Sequence, residues 1–63
     1  MPLIVVRILE GRPPEKIETL IAALTEATHQ ALGAPKDTVR VIVEEVPKTH
    51  WGIGGQSAEA LGR

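Results

Sequence analysis

The stretch PLIVVRIL, residues 2–9, decides how the rest of the chain is read. Its branched aliphatic residues run almost unbroken, which predicts a strand covered on both faces. Glu10, Gly11 and Arg12 break that run, and Pro13 and Pro14 then suit the first turn of a helix, where a missing N–H costs nothing. Glu15 and Glu18 stand where the helix dipole favours negative charge. Ile17, Leu20, Ile21, Leu24, Ala27, Ala31 and Leu32 recur at three- and four-residue steps, so one apolar stripe is expected along a helix over about 13–32, with Lys16, Glu26 and Gln30 on the wet side. Gly33 and Pro35 end it.

A second strand is expected over about 39–46, with Val39, Val41 and Val43 on one face and Arg40, Ile42 and Glu44 on the other. Strand, helix and strand of these lengths make one right-handed crossover unit with two parallel strands. The fold class is therefore α/β (α+β), a single domain over residues 1–63. Its last segment, 47–63, is glycine-rich around Trp51 and Ile53 and predicts a turn or short hairpin whose apolar anchors dock on a neighbour. One helix covers only one face of a two-stranded sheet. The sheet is expected to be completed by oligomerisation.

Composition points the same way. Sixty-three residues make a thin core, and with no cysteine the chain has neither disulfides nor a thiolate metal site to reinforce it. The seven Lys and Arg are scattered and the net charge is −1, so no basic stripe fits nucleic acid. No run approaches the roughly 18 apolar residues a membrane span requires, and no signal pattern heads the chain, so no membrane association is expected and a cytoplasmic setting is.

Pro2 is the first candidate for chemistry. As an internal residue it is a proline tolerated at the start of a strand. With Met1 removed it becomes a secondary amine, and apolar surroundings disfavour the ammonium form and draw its pKa down, so that it can act as a base. Arg12 ends the loop after the first strand and Arg40 interrupts the apolar alternation of the second; both suit bidentate grip on carboxylates, and both equally suit a solvated surface. Trp51 and Ile53 read first as core or interface anchors. His29 and His50 lie apart without an acidic partner and are expected at the surface, and no metal site is expected. The adjacent Glu44 and Glu45 point to opposite strand faces, unlike a paired acid and base. The GIGG of residues 52–55 lacks the Lys and Ser or Thr of a phosphate loop and is assigned to turn geometry.

Taken together, MPLIVVRILEGR, the arginine of VRVIVEE and the closing HWGIGG resemble the 4-oxalocrotonate tautomerase family over the whole chain. The resemblance implies a tautomerase fold and most often a homohexamer, a trimer of dimers. It implies a cofactor-independent isomerase that converts an enol or dienol acid, 2-hydroxymuconate first, to its conjugated ketone. By the same resemblance Pro2, freed of Met1, is the general base and then the acid. Arg12 and Arg40 bind substrate from neighbouring subunits, one holding a carboxylate and the other the carbonyl or enolate oxygen. Leu9, Trp51 and Ile53 match pocket positions, with Trp51 bulkier than the usual Phe. Ile53 stands where one dehalogenating type carries a glutamate, which argues against dehalogenation. A non-catalytic scaffold that keeps Met1, a heterohexamer subunit and a phenylpyruvate-type tautomerase are the alternatives.

Overall fold

The strand PLIVVRIL forms almost as read. A computed structural model describes residues 1–63, with β1 at Leu3–Leu9, α1 at Pro14–Leu32, β2 at Arg40–Val46, β3 at Gly52–Ile53 and β4 at Gln56–Ser57. Pro13 is extended (φ −68°, ψ 153°) and caps α1, while Pro14 takes its first helical position. Short 3-10 turns at Lys36–Thr38 and Lys48–His50 bracket β2.

β1 and β2 pair in parallel, Leu3 opposite Arg40 through to Leu9 opposite Val46. The ladder runs one bond past each end: the Arg40 N–H donates to the Pro2 carbonyl at 2.9 Å, and the Glu10 N–H to the Val46 carbonyl at 3.0 Å. Side chains alternate across the pleat. Ile4, Val6, Ile8, Val41 and Val43 are half-buried on the face that α1 covers, whereas Leu3 (61% exposed), Val5 (45%) and Ile42 (48%) lie on the face that nothing in the chain covers. Arg7 and Glu44 sit among them as a cross-strand ion pair, Nε to Oε2 at 2.7 Å.

α1 packs with only part of its stripe. Ile17, Leu20, Leu24 and Thr28 are half-buried, but Ile21, Ala27, Ala31 and Leu32 remain exposed, Leu32 at 69%. The expected stripe is wider than a two-stranded sheet can cover. His29 departs from its expected surface position: it is half-buried, and its Nδ1 lies 2.7 Å from the Ala34 carbonyl. A carbonyl only accepts, so Nδ1 carries the proton. His50 is exposed as expected.

Gly33 closes α1 in the left-handed region (φ 71°), its N–H donating to the His29 carbonyl at 2.9 Å. A Cβ there meets nothing within 4 Å, so an alanine is strained by its backbone alone. Gly33→Ala is expected to cost about 1 kcal/mol, which at fixed protein concentration lowers the thermal midpoint by roughly 4–8 °C. No change in the midpoint would contradict this.

The chain has little interior. Only Val39 and Ala58 of the 63 residues are buried, and the extents of 42 × 23 × 13 Å describe a slab about one helix and one sheet deep. Its surface of 4561 Å² for 6.8 kDa exceeds the roughly 3950 Å² of a compact monomer of that mass. The excess is the surface expected of a subunit rather than of a finished molecule.

Candidate active site

Pro2 heads β1 because the parallel ladder begins at its carbonyl. It is half-buried, while Met1 beside it is 84% exposed and packs on little. Pro2, Leu3 and Ile4 form one wall of an open groove of about 420 Å³. The other wall is the C-terminal half of α1: Leu24, Ala27, Thr28, Ala31 and Leu32. Thr28 Oγ1 donates to the Leu24 carbonyl at 2.8 Å, so its hydroxyl proton is already engaged. The groove beside Pro2 is therefore apolar, the setting that favours a neutral amine.

The helix residues of that groove are absent from the set singled out in the sequence. Their spacing at 24, 27, 28 and 31 was the only signal, and it is the same signal that a core stripe gives.

Arg40 lies at the same end of the sheet as Pro2, bonded to it through the backbone. Its side chain, however, belongs with Leu3 and Ile42 on the uncovered face. There its Nη1 donates to the Asp37 carbonyl at 2.7 Å and more weakly to the Val39 carbonyl at 3.4 Å. The turn at Lys36–Thr38 thus steadies the guanidinium and leaves it exposed to a ligand or another chain. Thr38 Oγ1 in turn donates to the Pro35 carbonyl at 2.7 Å and tightens that turn.

Arg12 and Leu9 lie at the opposite end. Arg12 is exposed, and its Nη1 donates to the Leu9 carbonyl at 3.0 Å. From Pro2 to Leu9 the strand rises about 3.3 Å per residue, roughly 23 Å in all, which is beyond the reach of an arginine side chain. Pro2 and Arg12 of one chain do not meet.

Trp51 and Ile53 follow β2 past that same far end, and both are half-buried. Their hairpin closes through Gly54 and Gly55 at φ 60° and 90°, a two-residue turn that needs positive φ at both positions. It packs on the turn before it: the Ala58 N–H donates to the Trp51 carbonyl at 2.8 Å, and the Glu59 N–H to the Lys48 carbonyl at 3.3 Å.

The structure thus sorts the six candidate residues into two groups. Pro2 and Arg40 stand at one end of the sheet; Leu9, Arg12 and the segment bearing Trp51 and Ile53 leave from the other. A single pocket that uses both groups takes them from different chains.

A second ion pair lies outside both groups. Lys36 Nζ is 2.9 Å from Glu26 Oε2, and that hydrogen bond holds the exposed Glu26 carboxyl below its ordinary range. The pair ties the turn before β2 to α1.

Comparison with known proteins completes the description. A family model described as "Tautomerase enzyme" matches residues 2–61. The chain is 54% identical over 63 residues, all of both chains, to a 2-hydroxymuconate tautomerase of Stutzerimonas stutzeri. It superposes with a TM-score of 0.95 on a structure from a study of 4-oxalocrotonate tautomerase isozymes of Methylibium petroleiphilum, at 48% identity, covering 98% of this chain and 100% of that one. A heterohexamer 4-oxalocrotonate tautomerase of Chloroflexus aurantiacus J-10-fl gives a TM-score of 0.91 at 43% identity, covering 97% and 98%.

Proposed function

We propose, for a chain that belongs to the tautomerase enzyme family and is an isomerase, that its substrate is an enol or dienol acid of the 2-hydroxymuconate type, which it converts to the conjugated ketone. The work is done in the cytoplasm by a homohexamer. Pro2, freed of Met1, takes the proton from the enol hydroxyl; the electron pair moves through the conjugated system, and the proton returns to carbon. Nothing is oxidised or reduced, and the Pro2 amine serves as both base and acid, so this reading assigns no cofactor.

The observation that carries this reading is the position of Pro2, half-buried at the rim of an apolar groove behind an exposed Met1. Removing Met1, which is 84% exposed, disturbs little packing and turns an amide nitrogen into a basic one. Arg12 and Arg40 supply the charges: one pairs with a substrate carboxylate, and the other steadies the oxygen on which negative charge develops. Leu9, Trp51 and Ile53 wall the pocket and keep it dry. The separation of the two residue groups along β1 supports a site assembled from several subunits. The thin core and the excess surface support the oligomer.

The test is the ultraviolet-monitored ketonisation of 2-hydroxymuconate by protein whose intact mass lacks Met1. A rate no faster than buffer from a protein of that mass would refute the substrate class. Arg40→Ala should lower kcat/KM for the dicarboxylate by about 10- to 100-fold, the worth of a charge-assisted contact, and should cost a neutral enol much less. Equal losses on both substrates would remove the carboxylate role. Hexamers formed by the chain expressed alone, seen in native mass spectrometry, would separate the homohexamer from a heterohexamer like the Chloroflexus aurantiacus protein.

A further inference from the structure

Arg40 is held by a turn, and one side chain of α1 holds that turn in place. Both bonds of the Arg40 guanidinium use Nη1, to the Asp37 carbonyl at 2.7 Å and the Val39 carbonyl at 3.4 Å, so the Nε–Nη2 edge keeps two parallel donors for a carboxylate. Where that edge points depends on where the Asp37 carbonyl stands. We propose that His29 is a positioning residue for Arg40, because its Nδ1–H donates to the Ala34 carbonyl at 2.7 Å and so sets the direction in which the Lys36–Thr38 turn leaves α1. The inference rests on the carboxylate-binding role proposed above for Arg40.

The stretch from Ala34 to Asp37 transmits that direction because little in it can rotate. The ring of Pro35 fixes its own φ, here −57°, and confines Ala34 before it to extended backbone. Beyond Pro35 the turn is closed on itself. Thr38 donates to the Pro35 carbonyl twice, from N–H at 3.0 Å and from Oγ1 at 2.7 Å, and the Val39 N–H donates to the Lys36 carbonyl at 3.1 Å. The loose joint is Gly33, and His29 brackets it: the His29 carbonyl accepts from the Gly33 N–H at 2.9 Å, and its ring donates to the Ala34 carbonyl.

A second link joins the turn to α1, the Lys36–Glu26 pair at 2.9 Å, but those side chains are 57% and 48% exposed. An ion pair so open to water holds weakly and is screened by salt. His29 and Ala34 are both half-buried, where water replaces a lost hydrogen bond less readily. His29 is therefore the strap, and Lys36 assists it.

Steady-state kinetics of the full chain freed of Met1, with 2-hydroxymuconate and with a neutral enol, test this. His29→Leu keeps bulk and helix propensity but removes the donor. It should lower kcat/KM for the dicarboxylate by about 3- to 10-fold, mostly through KM, and leave the neutral enol within about 2-fold. His29→Asn sets an amide N–H near the place of Nδ1 and should recover most of the loss. With Arg40→Ala already present there is no guanidinium to position, so His29→Leu should cost the dicarboxylate nothing further. The ring also gives a reading that does not depend on turnover: nitrogen NMR of neutral His29 should show the Nδ1–H tautomer, and the Nε2–H tautomer would overturn the inference. Equal losses on both substrates, or a loss that persists in full beside Arg40→Ala, would overturn it by making His29 a residue of general stability. No loss from His29→Leu where Arg40→Ala shows its own would overturn it with the role of Arg40 intact. If Arg40→Ala itself costs the dicarboxylate nothing, the reading of Arg40 falls, and the inference with it.

Discussion

Protein freed of Met1 should ketonise 2-hydroxymuconate, and the same protein with one residue retained ahead of Pro2 should lose about 10²–10⁴-fold of that rate, the usual contribution of a positioned base. The physical difference is a lone pair. In the extended protein the Pro2 nitrogen is part of an amide, and its electrons are delocalised into the carbonyl. In the trimmed protein it is an amine at the rim of an apolar groove. The fold should not notice the change, because Met1 is 84% exposed. Equal melting behaviour of the two forms is therefore part of the expected result, and it separates lost chemistry from lost structure.

Pro2→Ala, also trimmed, is a milder arm of the same experiment. It keeps a terminal amine but loses the ring that fixes its direction, so its rate should fall between the other two. Activity in the extended protein as high as in the trimmed one would remove Pro2 as the base. The rate of the trimmed enzyme should also fall as pH is lowered, because a protonated amine has no lone pair to offer.

The second large effect follows from the 7 residues of β1. Pro2 and Arg12 of one chain are separated by roughly 23 Å of strand, so a site that needs both draws them from two chains. The form that retains Met1 and, separately, the trimmed Arg12→Ala variant should each be nearly inactive toward the dicarboxylate. Unfolded together and reassembled, they should recover activity, because some sites then receive the free Pro2 amine from one form and Arg12 from the other. Random mixing restores roughly one site in four, since each site draws independently on two chains. Mixing without unfolding should restore less if subunits exchange slowly. No recovery from assembled mixed oligomers would mean that Arg12 acts elsewhere than in the pocket of Pro2.

Much of the fold was legible in the residues. The continuous aliphatic run at 2–9, the Pro13–Pro14 start, the Gly33 stop and the alternation at 39–46 each name an element by local stereochemistry, and each element formed within a residue of its expected bounds. The Gly54–Gly55 turn likewise names the hairpin, because few residues other than glycine tolerate the φ values it needs. His29 was misjudged because its burial depends on where the chain goes after Gly33: the return through Ala34 brings a carbonyl onto its ring. Nothing local to position 29 foretells that.

The candidate site divides in the same manner. Pro2, Arg12, Arg40, Trp51 and Ile53 can be picked out as residue types suited to proton transfer, carboxylate binding and an apolar wall, because those properties belong to each side chain. Their arrangement belongs to distances between strands and chains. The sequence by itself determined the crossover unit, the incomplete covering of its sheet and the chemical character of the candidate residues, all of which rest on local geometry and hydrophobic period. Only the tertiary structure decided that Pro2 and Arg40 share one end of the sheet while Leu9 and Arg12 occupy the other, and that Arg7 pairs with Glu44 on the open face. Those are matters of strand register, which is set by the packing of the whole unit rather than by any one segment.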